Sequence, residues 1–445
     1  MKISVVGTGY VGLVSGACLA AKGHQVICVD VDEHRVKVIN ERKAPFYEAQ
    51  LDDLLKKTIP EFLKATTDLD LAIRESDLTM IAVGTPFDGQ TIDLTAIKEA
   101  ARSIGTALRA KTDYHVVVVK STVVPGTTQD VVLPLLEKAS ARKAGVHFGV
   151  GMNPEFLREG EAVSDFMFPD RIVLGGIDER SIDQLDNIYS GFPDADRLRT
   201  NTRTAEMIKY TANALLATMI SFSNEIGNLC QDLGGIDVAD VMKGVHLDKR
   251  LSPLLPNGER IVPSFLTYLK AGCGFGGSCF PKDVMALQAH GTKIGTPMRI
   301  LEAVMTVNRL QPAKILVLLK KHFPSLNNVS VAVLGLSFKP GTDDIRESPS
   351  ILIIKELLAL GAKVKAYDPV AASNPLNGFT HSGIVISENL EQAINGVQAI
   401  VVATQWEEFS KLPLFLSDMD PKPVLIDGRR MLNKKQFSKY EGIGV

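Results

Sequence analysis

The sequence predicts an α/β protein, with two doubly wound domains joined by a central helical domain built on one long helix. Three observations carry this. Residues 2–30 run strand, glycine turn, helix, strand and end in an acid; residues 329–368 repeat that order; Thr204 to Gly234 is one strongly apolar helical stretch. Strands that alternate with helical stretches pair in parallel, because each crossover must carry the chain back to the starting edge. The expected divisions are 1–200, 201–310 and 311–445, which suits a chain of 445 residues at roughly 150 residues per domain.

The first unit of the pattern is specific. Lys2 to Val6 is a short apolar strand, and Gly7-Thr8-Gly9-Tyr10-Val11-Gly12 matches G-x-G-x-x-G where the chain turns into a helix. In such a turn Gly7 permits the bend, Gly9 lets the backbone approach a pyrophosphate, and Gly12 packs helix on strand. The helix N-terminus adds donors and the positive end of a dipole. Val26 to Val29 forms the next strand and ends in Asp30, 18 residues after Gly12. An acid there accepts hydrogen bonds from a ribose diol and repels a 2'-phosphate, so the expected cofactor is NAD rather than NADP. A Rossmann-like domain follows.

Apolar strands ending in polar turns continue with "LTMIAVGTP" (from Leu78), "HVVVVKSTVVPGT" (from His115) and "HFGVGMNPEFLREGEA" (from His147). Ligands of doubly wound sheets lie beyond the carboxyl ends of the strands. Thr85, Pro86, Ser121, Thr122, Asn153, Glu155 and Glu159 all fall at or just after such ends.

On the long helix Lys209 and Asn213 are four apart and share a face, with Glu206 near them. Taken alone, that segment admits a solvated stripe as readily as an ammonium directed at a developing oxyanion or a thiolate. From Val329 the opening pattern returns as "VSVAVLGLSFKPGTDDIRESPS", again ending in an acid, Asp368. It has lost G-x-G-x-x-G and carries Lys339 and Arg346 instead, which suits the phosphates of a different nucleotide. "VLIDGRR" adds Arg429 and Arg430 after the last strand.

The stretch "GCGFGGSCFPKD" (Gly272 to Asp283) sets Cys279 behind a run of glycines and ahead of Lys282 and Asp283. Glycines remove the side chains that would bury a thiol, and they favour close approach of backbone to a ligand. Cys279 is therefore a candidate nucleophile. The five cysteines are an odd number scattered over the chain, which points to reduced thiols, and none has metal-ligand spacing. No metal is expected. A net charge of −2 argues against nucleic-acid binding. A strand at the first residues and the lack of a long apolar run make a cytoplasmic protein without a leader or membrane span the expectation.

With those motifs placed, the chain resembles the UDP-glucose/GDP-mannose dehydrogenase family. The likeness runs from "GTGYVG" through "VGTP", "KSTVVPGT", "NPEFLREG", "AEMIKYTANA" and "GFGGSCFPKD" to "GLSFKPGTDDIRESPS". It implies oxidation of the primary alcohol of a nucleotide sugar to a carboxylate by two NAD+, with Cys279 adding to the intermediate aldehyde. It further implies that Lys209 stabilises the oxyanion, that Asn213 positions the sugar, that Asp283 and Thr122 hold water, and that Glu155 is a general base. Tyr10, Val11, Arg35, Lys282 and Arg346 join the cofactor contacts named above. Phe156, Leu157, Arg260, Tyr268, Leu269, Gly276, Phe338, Lys339 and Arg429 become substrate contacts. Arg260 stands eight residues before Tyr268, where family members that use UDP-glucose place Arg-Ile-Gly five before the aromatic.

The resemblance makes UDP-glucose the expected substrate, with dTDP-glucose or GDP-mannose as alternatives, and a homodimer or higher homo-oligomer formed through the long helix. Two rival readings stay open. A one-step NAD dehydrogenase would have no use for Cys279, and a non-catalytic nucleotide-sugar sensor would not need the whole residue set.

Overall fold

The computed structural model describes residues 1–371 and 383–445. It divides into two compact units, Met1–Ala212 and Asn213–Val445.

The first unit is built on eight strands: β1 (Lys2–Val6), β2 (Gln25–Val29), β3 (Leu63–Thr66), β4 (Leu78–Ile81), β5 (His115–Val119), β6 (Phe148–Met152), β7 (Arg171–Gly176) and β8 (Asp196–Asn201). Their order in the sheet is β3-β2-β1-β4-β5-β6-β7-β8. The strand order reverses between β1 and β4, which run parallel, and that switch point is where such sheets take their ligand. The parallel pattern breaks at one place. β7 runs antiparallel to β6, and β8 then pairs parallel to β7. Strands β4, β5 and β6 are buried at every position, so they read as continuous apolar runs.

The helix Tyr10–Ala21 lies flat on this sheet because its middle turns carry small side chains; a Cβ on Gly16 would stand 2.8 Å from the Cys28 sulfur. The same packing buries Cys18 and Cys28, and burial pushes both thiols up to about 12. Glu206, fully buried in the first turns of the long helix, accepts from the amides of Gly126 (2.5 Å) and Thr128 (2.7 Å). Its carboxylate thereby pins the Pro-Gly-Thr turn that follows β5.

The second unit holds β9 (Ser330–Leu334), β10 (Lys363–Tyr367), β11 (Ile384–Ile386), β12 (Ala399–Val402), β13 (Val424–Asp427) and β14 (Tyr440–Gly442), in the order β11-β10-β9-β12-β13-β14. Every pair is parallel, and the order repeats that of the first six strands of the other unit. Cys230, Val238, Met242 and Ala271 share one apolar cluster with Ile315, Val331 and Ile426 of the sheet layer.

The long helix spans Thr202–Leu233 and is continuous through the unit boundary. Lys209 and Asn213 are both buried on it, at 3% and 7% exposure, so the solvated-stripe reading is discarded. Among the described residues no helix is long and apolar enough to cross a membrane, and no cluster of metal-ligating side chains occurs.

Candidate active site

In the first unit the glycine turn behaves as its spacing predicts. Gly7 sits at φ +96°, and a Cβ on it would lie 2.7 Å from the Ala82 carbonyl oxygen. One on Gly12 would lie 1.9 Å from the Gly7 oxygen, whereas one on Gly9 would meet nothing within 4 Å. Two glycines are thus demanded by the chain itself, and the third faces open space at a helix start that no side chain caps. A cradle of this kind, with amides to offer, fits a dinucleotide pyrophosphate.

Asp30 lies at the end of β2. Its Oδ2 accepts from the Thr8 amide (2.7 Å) and hydroxyl (2.5 Å), and its Oδ1 from the Asp32 amide (3.0 Å). Partial burial pushes its carboxyl up, but the Thr8 hydroxyl, the two amides and the Arg35 guanidinium outweigh that and hold it below the usual range. Arg35 donates to the Thr8 carbonyl and pairs with Asp32. Thr85 donates to the Thr122 carbonyl (2.7 Å), and Ser121 to that of Val83 (2.7 Å). These bonds tie together the carboxyl ends of β4 and β5, at the edge where Gly7 turns; Pro86 continues that edge by accepting from the Asp93 amide.

The second cluster is ionic. The Lys209 ammonium stands 2.9 Å from Glu155 Oε1, and both side chains are buried. Burial pushes Glu155 up, but the adjacent Lys209 charge and hydrogen bond, the Leu157 amide and the Lys120 charge together hold it below the usual carboxylate range. The Phe156 ring lies between two cations, 5.5 Å from the Lys209 nitrogen and 3.8 Å from the Arg171 guanidinium. The half-buried Glu159 is on the same segment, which is fastened to the glycine-turn helix: buried Glu48 accepts from the Gly160 and Ala162 amides and from the Tyr10 hydroxyl. Val11 follows Tyr10 in that helix.

Sequence reasoning missed Lys120. It is 3% exposed and donates to Asn153 Oδ1 (2.9 Å). Burial pushes its ammonium down to about 8, against the pull of Glu155 and with the repulsion of Lys209. The signal was a lysine directly after the four valines that close the strand "HVVVV".

In the second unit, Cys279 is the only one of the five cysteines that is not buried. It occupies the N-cap of the helix Phe280–Lys293, 3.5 Å from the Ser278 hydroxyl. A thiolate is favoured at such a helix start. One turn on, Asp283 is 1% exposed and accepts from Asn213 Nδ2 (2.7 Å) and the Lys282 ammonium (2.6 Å). The Tyr268 ring is tilted by 49° against that of Phe280, centroids 6.2 Å apart, and Leu269, next in the chain, is buried.

The glycines ahead of Cys279 have a different cause from the one their spacing suggests. A Cβ on Gly276 would lie 2.1 Å from the Glu347 oxygen, and one on Gly277 (φ +85°) 2.7 Å from the Phe338 ring. The close neighbour at both positions is the chain itself, so these glycines do not by themselves indicate a ligand. Arg346 pairs with Asp344 (2.8 Å) while its carbonyl accepts from the Gly277 amide (2.9 Å). Half-buried Lys339 stands in the same turn after β9.

Arg260 donates to the Leu247 (2.9 Å) and Ser252 (2.7 Å) carbonyls, so it braces its own loop. Asp368 repeats the position of Asp30, but it is 1% exposed. It takes the Leu336, Ser337, Val370 and Ala371 amides, the Ser337 hydroxyl and the Trp406 indole. With its oxygens occupied by the chain, this acid has no capacity left for a ribose diol.

Comparison with known proteins decides the family. Residues 1–193 match the NAD binding domain of the UDP-glucose/GDP-mannose dehydrogenase family, 203–310 its central domain and 332–434 its UDP binding domain. The chain belongs to that family. It is 42% identical over 450 residues to the UDP-glucose 6-dehydrogenase AglM of Haloferax volcanii, covering 100% of both chains. It is also 40% identical over 425 residues to a GDP-mannose 6-dehydrogenase of Pseudomonas putida, covering 93% of each. Among solved structures, a UDP-glucose dehydrogenase of Pyrobaculum islandicum superposes with a TM-score of 0.89 at 37% identity, over 99% of this chain and 97% of that one. The chain is thus an NAD-dependent nucleotide-sugar dehydrogenase, and its cofactor is NAD.

Proposed function

We propose that this protein oxidises the C6 alcohol of UDP-glucose to UDP-glucuronate in two steps through a covalent adduct on Cys279. The observation that carries this reading is Cys279 itself, the one unburied thiol, at a helix N-terminus with the Asp283–Asn213 pair one turn away. Overall, one alcohol, one water and two NAD+ give one carboxylate, two NADH and three protons. NAD, when bound, takes the two hydrides.

The chain's own groups do the rest. Glu155, held ionised by Lys209, accepts the proton of the alcohol as it becomes an aldehyde. The Cys279 thiolate adds to that aldehyde carbon, and the Lys209 ammonium stabilises the oxyanion that forms. A second oxidation leaves a thioester on sulfur. Water held by Asp283 and Thr122 attacks the thioester, the C–S bond breaks, and the thiolate is regenerated with release of the acid. Asn213 orients the sugar oxygen while bonded to Asp283.

Substrate choice rests on the likeness to UDP-glucose 6-dehydrogenases and on the intact "GFGGSCFPKD" stretch. With UDP-glucose, dTDP-glucose and GDP-mannose compared by NADH formation, UDP-glucose is expected to be preferred, dTDP-glucose tolerated and GDP-mannose poor. Faster turnover of GDP-mannose would overturn the assignment of substrate but not of chemistry.

A second copy of the chain is the proposed partner. Leu215, Phe222, Leu229 and Leu233 form an apolar stripe along the long helix, exposed at 58%, 50%, 55% and 65%. A heptad spacing of this kind suits a facing helix. We place the protein in the cytoplasm, where thiols stay reduced.

A further inference from the structure

The loop before Cys279 carries few side chains of its own, yet its backbone is held almost residue by residue. Asn224, fully buried on the long helix, accepts from the Gly272 amide (2.8 Å), and fully buried Gln311 donates to the Gly272 carbonyl (2.9 Å). The Cys273 amide donates to the Gly428 carbonyl (2.8 Å). Arg429 donates through Nη1 to the Gly274 carbonyl (2.7 Å) and through Nε to the Ala403 carbonyl (2.6 Å), so its guanidinium bridges the loop and the end of β12. Asn308 grips Phe275 from both sides, accepting from its amide (2.8 Å) and donating to its carbonyl (3.0 Å). Asn228 in turn holds Gln311 (3.0 Å).

We propose that Asn224, Asn308, Gln311 and Arg429 form a cradle that positions the nucleophile, with Asn308 and Arg429 setting where the Cys279 sulfur stands. This rests on the two-step reading of Cys279. A glycine-rich segment is free to take many conformations, and only external bonds can restrict it to one. Side-chain amides serve here because they offer a donor and an acceptor in one plane, matching a peptide unit as a neighbouring strand would. The same geometry gives Arg429 a task within the chain. Its Nε and Nη1 reach two carbonyls on separate segments in one rigid plane, a geometry that the single nitrogen of a flexible lysine does not reproduce.

The test uses the full-length enzyme with Asn308→Ala, which removes both bonds to Phe275, and Arg429→Lys, which breaks an independent bond at Gly274. Two readouts separate positioning from binding: NADH formed per sugar consumed, and the rate at which iodoacetamide labels Cys279, with Cys279→Ala as the blank. A displaced sulfur still permits the first oxidation, so NADH per sugar should fall from two towards one as aldehyde escapes. The labelling rate should shift from the native value in both variants, because alkylation follows the exposure and thiolate fraction of the sulfur, and the loop sets both. In Asn308→Ala the KM values for sugar and NAD should change little; Arg429→Lys is read by stoichiometry and labelling alone, because Arg429 is also an expected substrate contact.

If both variants keep two NADH per sugar and native labelling, or lose only sugar affinity, these groups serve the fold or the substrate and the proposal is overturned. Should the native enzyme itself yield one NADH, the two-step reading fails. The labelling rates would still decide whether the cradle places the thiol.

Discussion

Cys279→Ala is expected to abolish acid formation while leaving the protein folded and able to bind both ligands. The side chain is only partly buried, so the substitution removes chemistry and little stability. Without a thiol the aldehyde has no covalent partner, and no thioester forms. A single-turnover measurement should show at most one NADH per site, released with aldehyde. Persistent formation of uronate by this variant would mean that oxidation proceeds through the aldehyde hydrate, and the covalent route would have to be given up.

Lys209→Met should produce the second large effect, and it acts on stability and on rate for separate reasons. Glu155 and Lys209 are a buried pair at 2.9 Å, and removing one partner of such a pair costs about 3–5 kcal/mol because the other charge is left uncompensated. Loss of an oxyanion donor lowers kcat by about 10²- to 10³-fold. The double variant Glu155→Gln/Lys209→Met distinguishes the two. With both charges gone, thermal stability should return towards native while turnover stays low. Glu155→Gln removes the proposed base as well, so recovery of turnover along with stability would mean that neither Glu155 nor Lys209 takes part in the chemistry.

The fold was legible because the pattern that predicts it is local. Gly7, Gly9 and Gly12 stand at a strand end with Asp30 at the next strand end; Gly7 and Gly12 have steric reasons within the chain, and Asp30 is held by the Thr8 amide. The repeat after Val329 was equally visible, and both sheets do share one strand order. The antiparallel entry of β7 was not, since an apolar strand of six residues looks the same in either direction.

Site residues were legible where chemistry restricts the residue type. Cys279 stood out by its surroundings, and it is indeed the one unburied thiol. The glycines beside it admit more than one reading, because a missing side chain does not say what comes close. At Gly276 and Gly277 it is the Glu347 carbonyl and the Phe338 ring. Lys209 was undecided from helical spacing, as the same face could have met water or a buried acid. Lys120 was passed over for the opposite reason, the strand before it being so apolar that the residue after it drew no attention. Arg429 combined both difficulties. A basic residue after a strand suggests a phosphate, and only coordinates reveal that it reaches two carbonyls of its own chain.

The most direct measurement of the central claim is the stoichiometry of the native enzyme with limiting UDP-glucose and excess NAD+. Absorbance of NADH gives the electrons transferred, and chromatography of the nucleotide sugar gives the product. The account predicts two NADH and one UDP-glucuronate for each UDP-glucose consumed, with no free aldehyde at any time. One NADH per sugar, with the aldehyde as the stable product, would contradict it.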